Sequence, residues 1–365
     1  MVIDRDIRVE CRLLSYSLMA PRDFFINQWG RLRSGWRVAI FVGLYVGLLF
    51  VVGAILRVVY AVAFNSRFGF APGPYIENVL FRLMLLIAAV LAGYICARAL
   101  EGLPWRALGL SLHRSWFSHF AIGSIIGGAS LLLAALIAWA GGGLSFSLTG
   151  RSLLFLTLRE LISAAALFIL AALAEEALFR GYPLQTLTRA QLAWLGVFLT
   201  SVPFAAVHLW NPNVARGFTF ANTALAGIWL AVAYLRTRSL WFPLGVHWTW
   251  NWILNSVLGL PVSGITISSY PLFHGSDLGP AWLTGGTYGI EGGAACTVTL
   301  IISTLFIWRT SLVSATPEML KLTSQENPAP VAKLSILSDE RTVGEFNTEG
   351  MQASTNSHEI ETKNF

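Results

Sequence analysis

The stretch that decides the fold runs from Leu161 to Tyr182 and reads LISAAALFILAALAEEALFRGY. The part before Ala174 is apolar and predicts a membrane-spanning helix, which needs about 20 mostly apolar residues. Glu175, Glu176 and Arg180 then stand where this span is expected to end. Because a charge next to hydrocarbon is costly unless it faces a partner or water, these three side chains need an explanation.

The composition of the whole chain is that of a membrane protein. Of its 365 residues, 55% are hydrophobic and 12% are charged, and the mean hydropathy is +0.63, far from the balance of a soluble domain. We predict an all-α fold, a polytopic transmembrane helical bundle of about eight spans. The spans are expected at about 38–58, 79–99, 119–140, 153–178, 192–209, 218–235, 240–258 and 294–308.

The chain divides into four predicted segments. Residues 1–36 form an N-terminal segment without an apolar signal-peptide core, so no cleaved leader is expected. Residues 37–149 supply accessory transmembrane helices, and 150–310 form the core. Residues 314–365 are polar and aperiodic and are expected to be a disordered tail, because they cannot bury enough apolar surface to become ordered.

The distribution of arginine predicts the orientation in the membrane. Arginines are concentrated in the N-terminal segment and in the loops after the second, fourth and sixth spans, which places both termini in the cytoplasm. The basic surplus fits contact with anionic lipid and not with nucleic acid. Residues 259–293 contain neither Lys nor Arg and are expected to form an external cap on the membrane surface, with a partly re-entrant segment as the alternative.

The charges that end the fourth predicted span differ in their expected roles. Glu176 and Arg180 are four residues apart, so they share a helix face and are expected to form a structural pair. Glu175 points about 100° away from Glu176 around the helix and has no partner at that spacing. Glu175 is therefore the carboxylate that is free to act as a general base.

Three further polar residues lie in later spans. His208 ends the fifth span, and His247 and Asn251 share one face of the seventh. An imidazole binds a metal or donates a hydrogen bond, and an asparagine amide donates to an oxyanion. Taken singly, each of them also fits a hydrogen bond that packs helices together. The remaining histidines and the scattered cysteines, which we expect to be free thiols, carry no predicted function: His113, His119, His274, His358, Cys11, Cys96 and Cys296.

The predicted depths of two of these residues conflict. A straight fifth span rises about 24 Å between residue 192 and His208, whereas Glu175 is expected near the end of the fourth span. A common water molecule then requires that the fifth span bends at Pro203, or that the fourth span runs deeper than Arg180 suggests.

Together the three clusters resemble the EExxxR, FxxxH and HxxxN motifs of the CPBP family, the CAAX-protease and bacteriocin-processing intramembrane endopeptidases. Here the motifs are EEALFR (175–180), FAAVH (204–208) and HWTWN (247–251), within roughly residues 150–310. The resemblance implies an endopeptidase with a catalytic cavity inside the membrane, which hydrolyses a peptide bond of a membrane-associated protein or peptide. By this resemblance Glu175 and His208 would activate water, His247 and Asn251 would hold the oxyanion, and Glu176 and Arg180 would brace the site.

The resemblance also implies a cofactor and a location. Family members are commonly called metalloproteases, so a divalent metal is expected, zinc first, with Glu175, His208 and His247 as ligands. The same residues can position water without a metal, and the chain has no HExxH. We expect a multi-pass protein of a bacterial-type cytoplasmic (inner) membrane. The alternatives are a non-catalytic protein that binds a partner and a transporter coupled to protons or ions, against which the lack of internal repeats counts.

Overall fold

The computed structural model describes residues 24–63, 73–214, 216–324 and 326, and this part of the chain is mainly helical. The predicted all-α fold is confirmed. The helices, in chain order, are α1 (Ser34–Ala63), α2 (Pro74–Glu101), α3 (Trp116–Ala140), α4 (Leu154–Glu176), α5 (Tyr182–Arg189), α6 (Ala193–Val207), α7 (Arg216–Thr237), α8 (Trp241–Trp252), α9 (Ala281–Thr284), α10 (Ala294–Arg309) and α11 (Pro317–Thr323). The described residues also form two antiparallel strands, β1 (Leu144–Leu148) and β2 (Phe273–Asp277).

Six helical stretches of the described residues are long and apolar enough to cross a membrane, and they correspond to the first six predicted spans. The other two predicted spans form shorter helices. One is α8 with the π-helical turn Ile253–Val257 that follows it, and the other is α10. At 1.5 Å per residue each rises about 25 Å, less than the ~30 Å hydrocarbon core of a bilayer.

The fourth span differs from its prediction because it does not end near residue 178. Helix α4 passes through a π-helical turn, Ala177–Gly181, directly into α5, so one apolar stretch runs from Leu154 to Arg189. Every residue of α5 is buried. Of the two alternatives for the depth conflict, the structure therefore has the second, a fourth span that runs deeper than Arg180 suggests.

The end of this long helix carries a buried ionic contact. Arg189, which the sequence placed in a loop, donates from Nε to Glu101 Oε2 at 2.7 Å, and Thr186 donates to the other oxygen at 2.6 Å. Arg37 lies 3.4 Å from the same carboxylate. The start of α1 and the ends of α2 and α5 therefore meet at one buried carboxylate.

Helix α3 packs against α8 through glycines that let the two backbones touch. A Cβ atom added to Gly127 would lie 2.1 Å from the carbonyl oxygen of Val246, and one added to Gly123 would lie 2.3 Å from that of Phe242. From the other side, a Cβ on Gly245 would lie 2.2 Å from the carbonyl oxygen of Phe120. Small residues at a helix interface permit such close approach in membranes, and here they fix the position of α8.

Residues 259–293, here called the cap segment, are folded onto the bundle. Strand β2 pairs with β1, and the backbone N–H groups of Ser269 and Tyr270 donate to the two carboxylate oxygens of Glu160 at 2.6 Å each. Glu160 lies within the fourth predicted span, and in the structure it anchors the cap segment. The predicted cap is therefore a structured part of the protein whose residues also reach its interior.

The start of the predicted disordered tail is ordered. In α11, Thr316 caps the helix by accepting a hydrogen bond from Met319 N, and Pro317 stands in the first turn, where no N–H is needed. The Met319 side chain is fully buried, and Glu326 binds Arg37 and Asn27. The local helix signals outweigh the polar composition here. The rest of the tail, with His358, and residues 1–23, with Cys11, lie outside the described residues, whereas Cys96 and Cys296 are buried free thiols.

We predict that Gly127→Ala destabilises the bundle, because the new methyl group meets the backbone carbonyl oxygen of Val246, which cannot give way unless the whole of α8 moves. Overpacking of this kind costs about 1–3 kcal/mol, so the thermal unfolding midpoint in detergent should fall. Gly47 on α1 is the matched control, since a Cβ added there has nothing within 4 Å. Equal midpoints for Gly127→Ala and Gly47→Ala would contradict the close α3–α8 contact.

Candidate active site

The long fourth helix brings Glu175 and His208 to one depth. Helices α5 and α6 are joined by a short turn at 190–192. Counted from this turn at 1.5 Å per residue, Glu175 lies about 21 Å along α5 and α4, and His208 lies about 22 Å along α6. The two side chains consequently reach the same level of the bundle from antiparallel helices.

The bundle contains a cavity, and the Glu176 carboxylate is fully buried behind the wall of this cavity. Its Oε1 accepts a hydrogen bond from Arg180 Nη1 at 3.0 Å and another from His247 Nδ1 at 2.9 Å. The second guanidinium nitrogen of Arg180 donates to the carbonyl oxygen of Gly227 at 3.0 Å. Because a carboxylate oxygen here acts as acceptor, His247 carries a proton on Nδ1 and presents Nε2 to the cavity.

Glu175 faces the cavity, with 23% of its side chain exposed. Among the described residues it makes no hydrogen bond, and its Oε2 lies 3.8 Å from His247 Nε2, beyond hydrogen-bond distance. The two adjacent glutamates thus differ as the helix geometry predicts, since one is paired in the interior and the other is open to the cavity.

His208 begins a short 3₁₀ turn at the end of α6. Its Nδ1 donates to the carbonyl oxygen of Phe204 at 2.7 Å, which leaves Nε2 for other contacts. The Phe204 ring lies 4.7 Å from the His208 ring and 6.2 Å from the His247 ring, and the Arg180 guanidinium stacks on it at 4.6 Å. Phe204 is therefore the packing centre of the site, a role that its motif position alone did not indicate.

A cavity of about 460 Å³ gathers the predicted site residues. Glu175, His208, His247 and Asn251 all line it, whereas Glu176 and Arg180 lie behind its wall. Accessory helices α1 and α2 supply an apolar side of the cavity, and the cap segment supplies another. These further lining residues include Tyr45, Leu49, Phe81, Leu85, Val262, Ile265 and Ile267.

Two charged lining residues were missed from the sequence. Arg82 had no predicted role in the site, but it lines the cavity from α2. Glu291 had no predicted role, although it also lines the cavity from the cap segment. The signal for Glu291 was its position directly before the apolar run of α10, in a segment with few other charges.

The predicted zinc ligands Glu175, His208 and His247 all line the cavity. No set of three or more His, Cys, Asp and Glu side chains in this part of the chain is arranged to hold an ion. Both histidines use Nδ1 for internal hydrogen bonds, so each has only Nε2 left as a ligand atom. A histidine needs only one nitrogen to bind zinc, and a hydrogen bond from the other ring nitrogen to a carboxylate or a backbone carbonyl is typical of metal-bound histidine. The zinc site therefore stays a prediction.

Comparison with known proteins identifies a family that this chain resembles. Residues 157–253 match the family model described as type II CAAX prenyl endopeptidase Rce1-like, a segment that runs from within α4 to the start of the π-helical turn after α8. The matched segment contains all three motifs. The predicted family resemblance is confirmed here. The match supports peptidase activity in a multi-pass membrane protein.

A curated relative matches a shorter part of the chain. An uncharacterized 24.3 kDa protein of Escherichia coli is 35% identical over 89 residues, which are 24% of this chain and 40% of that protein. The chain therefore spans less than half of the length of that relative.

We predict that Arg180→Met destabilises the fold strongly, because it leaves the Glu176 carboxylate buried without its guanidinium partner. Breaking a buried ion pair in this way costs about 3–5 kcal/mol, which a denaturant titration of the protein in detergent measures. Arg106→Met is the matched control: Arg106 pairs with Glu318 at 3.7 Å, but both side chains are exposed. The expected loss in the free energy of unfolding of this control is below about 1 kcal/mol. A similar loss in both variants would refute the prediction that the buried Glu176 carboxylate depends on Arg180.

Proposed function

We propose that the protein is an intramembrane endopeptidase that hydrolyses a peptide bond of a membrane-associated protein or peptide. The observation that carries this proposal is the cavity lined by Glu175, His208, His247 and Asn251. A carboxylate, two imidazoles and an amide line this one space. These are the groups that peptide hydrolysis by activated water requires.

Glu175 and His208 activate the water in this proposal. The Glu175 carboxylate makes no hydrogen bond among the described residues and is therefore available to accept a proton from water. His208 carries its proton on Nδ1, bound to the Phe204 carbonyl oxygen, so its Nε2 accepts the second hydrogen bond of the same water. Two acceptors orient the water, and its oxygen attacks the peptide carbonyl carbon.

His247 and Asn251 stabilise the oxyanion that forms as the carbonyl oxygen takes up charge. Asn251 donates from Nδ2. His247 donates from Nε2 when both of its ring nitrogens are protonated, with Nδ1 held by Glu176 at 2.9 Å. Preorganised donors of this kind typically account for about 2.7–4 kcal/mol each. Glu176 and Arg180 act by fixing the ring of His247 and do not touch the substrate.

Collapse of the tetrahedral intermediate completes the reaction. The proton that Glu175 took from water moves to the leaving nitrogen as the C–N bond breaks, which yields a free amine and a carboxylic acid that keeps the second proton of the water. Glu175 is then ionised again, so the site returns to its starting state without a covalent enzyme intermediate. Atoms and charges balance with water as the only co-reactant.

The substrate in this proposal is a hydrophobic polypeptide. The cavity is lined on one side by apolar side chains of α1 and α2, which suit a segment that arrives from the bilayer. A CAAX-type substrate is included in this class by the family match to residues 157–253. We place the protein in a bacterial-type inner membrane with both termini in the cytoplasm, in keeping with the arginine distribution.

We predict that Glu175→Gln lowers kcat at least about 100-fold, because the amide cannot take a proton from water and general-base catalysis contributes this much or more. His247→Ala should be similarly impaired. The measurement is cleavage of membrane-anchored test peptides by purified protein in lipid nanodiscs, followed by mass spectrometry. Glu77→Gln at the exposed start of α2 is the control, and cleavage that persists in Glu175→Gln would sink the proposed function.

We also predict that chelation leaves the cleavage rate unchanged, because in the proposed reaction Glu175 and His208 orient the water without a metal. Purified protein would be dialysed against a strong chelator, assayed, and analysed for bound metal by mass spectrometry. A lost activity that returns on addition of Zn²⁺ would contradict this expectation and support the zinc site with Glu175, His208 and His247.

A further inference from the structure

Glu291 of the cap segment is a cavity-lining carboxylate that the proposed reaction does not use. Its Oε1 accepts a hydrogen bond from the indole Nε1 of Trp250 at 2.9 Å. Its Oε2 accepts from the backbone N–H of Ser263 at 2.5 Å and from the hydroxyl of Ser263 at 2.9 Å. In the described part of the chain Glu291 has no ion pair, so its contacts are all with neutral donors.

Both oxygens of Glu291 must act as acceptors. Three donors converge on the carboxylate, and hydrogen bonds to an ionised acceptor are about twice as strong as neutral ones. The contact also supports an unusual backbone, since Ser263 has φ 46°, a conformation that non-glycine residues rarely adopt. An amide at position 291 would turn an NH₂ group towards one of these donors. The position is therefore specific for a carboxylate and not only for a polar side chain.

The backbone of Glu291 is fixed as well. Asn222 of α7 donates from Nδ2 to the carbonyl oxygens of Glu291 and Gly293, both at 2.9 Å, and its own Oδ1 accepts from Thr297 at 2.6 Å. Glu291 thus stands on a rigid support where the cap segment meets α7 and α10. Glu291 can therefore hold the indole of Trp250 on α8 while its own position stays fixed.

The partner on α8 precedes a proposed catalytic residue. Trp250 is buried, is adjacent to Asn251, and lies three residues after His247 on the same helix. Directly after Trp252 the helix changes to the π-helical turn Ile253–Val257, where the side-chain register shifts. The indole that Glu291 holds therefore fixes the rotation of α8 at the level of Asn251.

We propose that Glu291 is a positioning residue of the reaction, which acts through Trp250 to aim the Asn251 amide at the oxyanion. This inference rests on the proposed function. Glu291 does not contact the reacting atoms; it ties the cap segment to α8, so that the oxyanion donors keep their direction when a substrate fills the cavity. The cap segment then takes part in transition-state stabilisation as well as covering the site.

The variant Glu291→Gln tests this in nanodiscs with the same peptide assay. We expect kcat to fall about 10-fold, within the loss that a misplacement of about 1 Å produces, while KM stays unchanged. Trp250→Phe removes the indole N–H but keeps an aromatic ring, and it should lower kcat by the same factor. In the double variant the two losses in kcat should not multiply, because both substitutions affect the same hydrogen bond.

A second cycle separates positioning from general stability. In an Asn251→Ala background, Glu291→Gln should have no further effect on kcat, since the residue it positions is gone. Glu160→Gln is the matched control, because Glu160 also anchors the cap segment but does not line the cavity. It should lower the thermal midpoint and leave kcat within about twofold of wild type.

The outcomes are distinguishable. Losses in kcat that multiply between Glu291→Gln and Asn251→Ala would overturn the inference. A change in KM alone would also overturn it, because Glu291 would then contact the substrate. An equal fall in kcat in Glu160→Gln would also overturn it, because general loosening of the cap segment would explain both. If Glu175→Gln keeps wild-type activity, the proposed function fails, whereas inactive Glu175→Gln with fully active Glu291→Gln refutes only the positioning role.

Discussion

The structure depends on one fully buried carboxylate, that of Glu176. An isolated ionised group in a low-dielectric interior is costly, and only paired, hydrogen-bonded partners offset this desolvation. Here the partners come from different places: Arg180 from the next turn of the same helix, and His247 from α8. Arg180 in turn binds the backbone of α7 at Gly227. Three helices are therefore held in register around a single charge, and the imidazole of the proposed site is one of the groups that hold it.

Internal neutralisation of this charge also sets the depth of the site. Since Glu176 and Arg180 neutralise each other's charge inside the protein, the fourth span does not have to end at them, and α5 continues fully buried to Arg189. The longer helix carries Glu175 to the level of His208. The π-helical turn lies in the Glu176–Arg180 interval itself, in keeping with the frequent occurrence of such turns at functional sites.

Periodicity and hydropathy were sufficient for the helical class, for six of the spans and for the division of labour between Glu175 and Glu176, because these follow from local spacing. The sequence did not predict the π-helical turns or the continuation of the fourth span into α5. Charged residues were expected to end a span because they would face lipid, but here Glu176 and Arg180 face other parts of the protein. The folded cap segment and Glu291 depend on contacts between distant parts of the chain. Helix α11 was missed because composition was given more weight than the Thr316–Pro317 start signal.

The two histidines of the site resemble each other in one respect and differ in another. Each donates from Nδ1 to an acceptor four or more residues away and so presents Nε2 to the cavity. The acceptor of His208 is a neutral backbone carbonyl, which suits a neutral imidazole whose Nε2 accepts from water. The acceptor of His247 is a carboxylate, which forms a charge-assisted hydrogen bond with an imidazolium and so suits a ring that donates from Nε2 to an oxyanion. The Phe204 carbonyl oxygen thus suits His208 to accept a hydrogen bond, whereas the Glu176 carboxylate suits His247 to donate one. In the proposed reaction, water activation and oxyanion binding therefore require both adjacent glutamates, although only Glu175 faces the cavity.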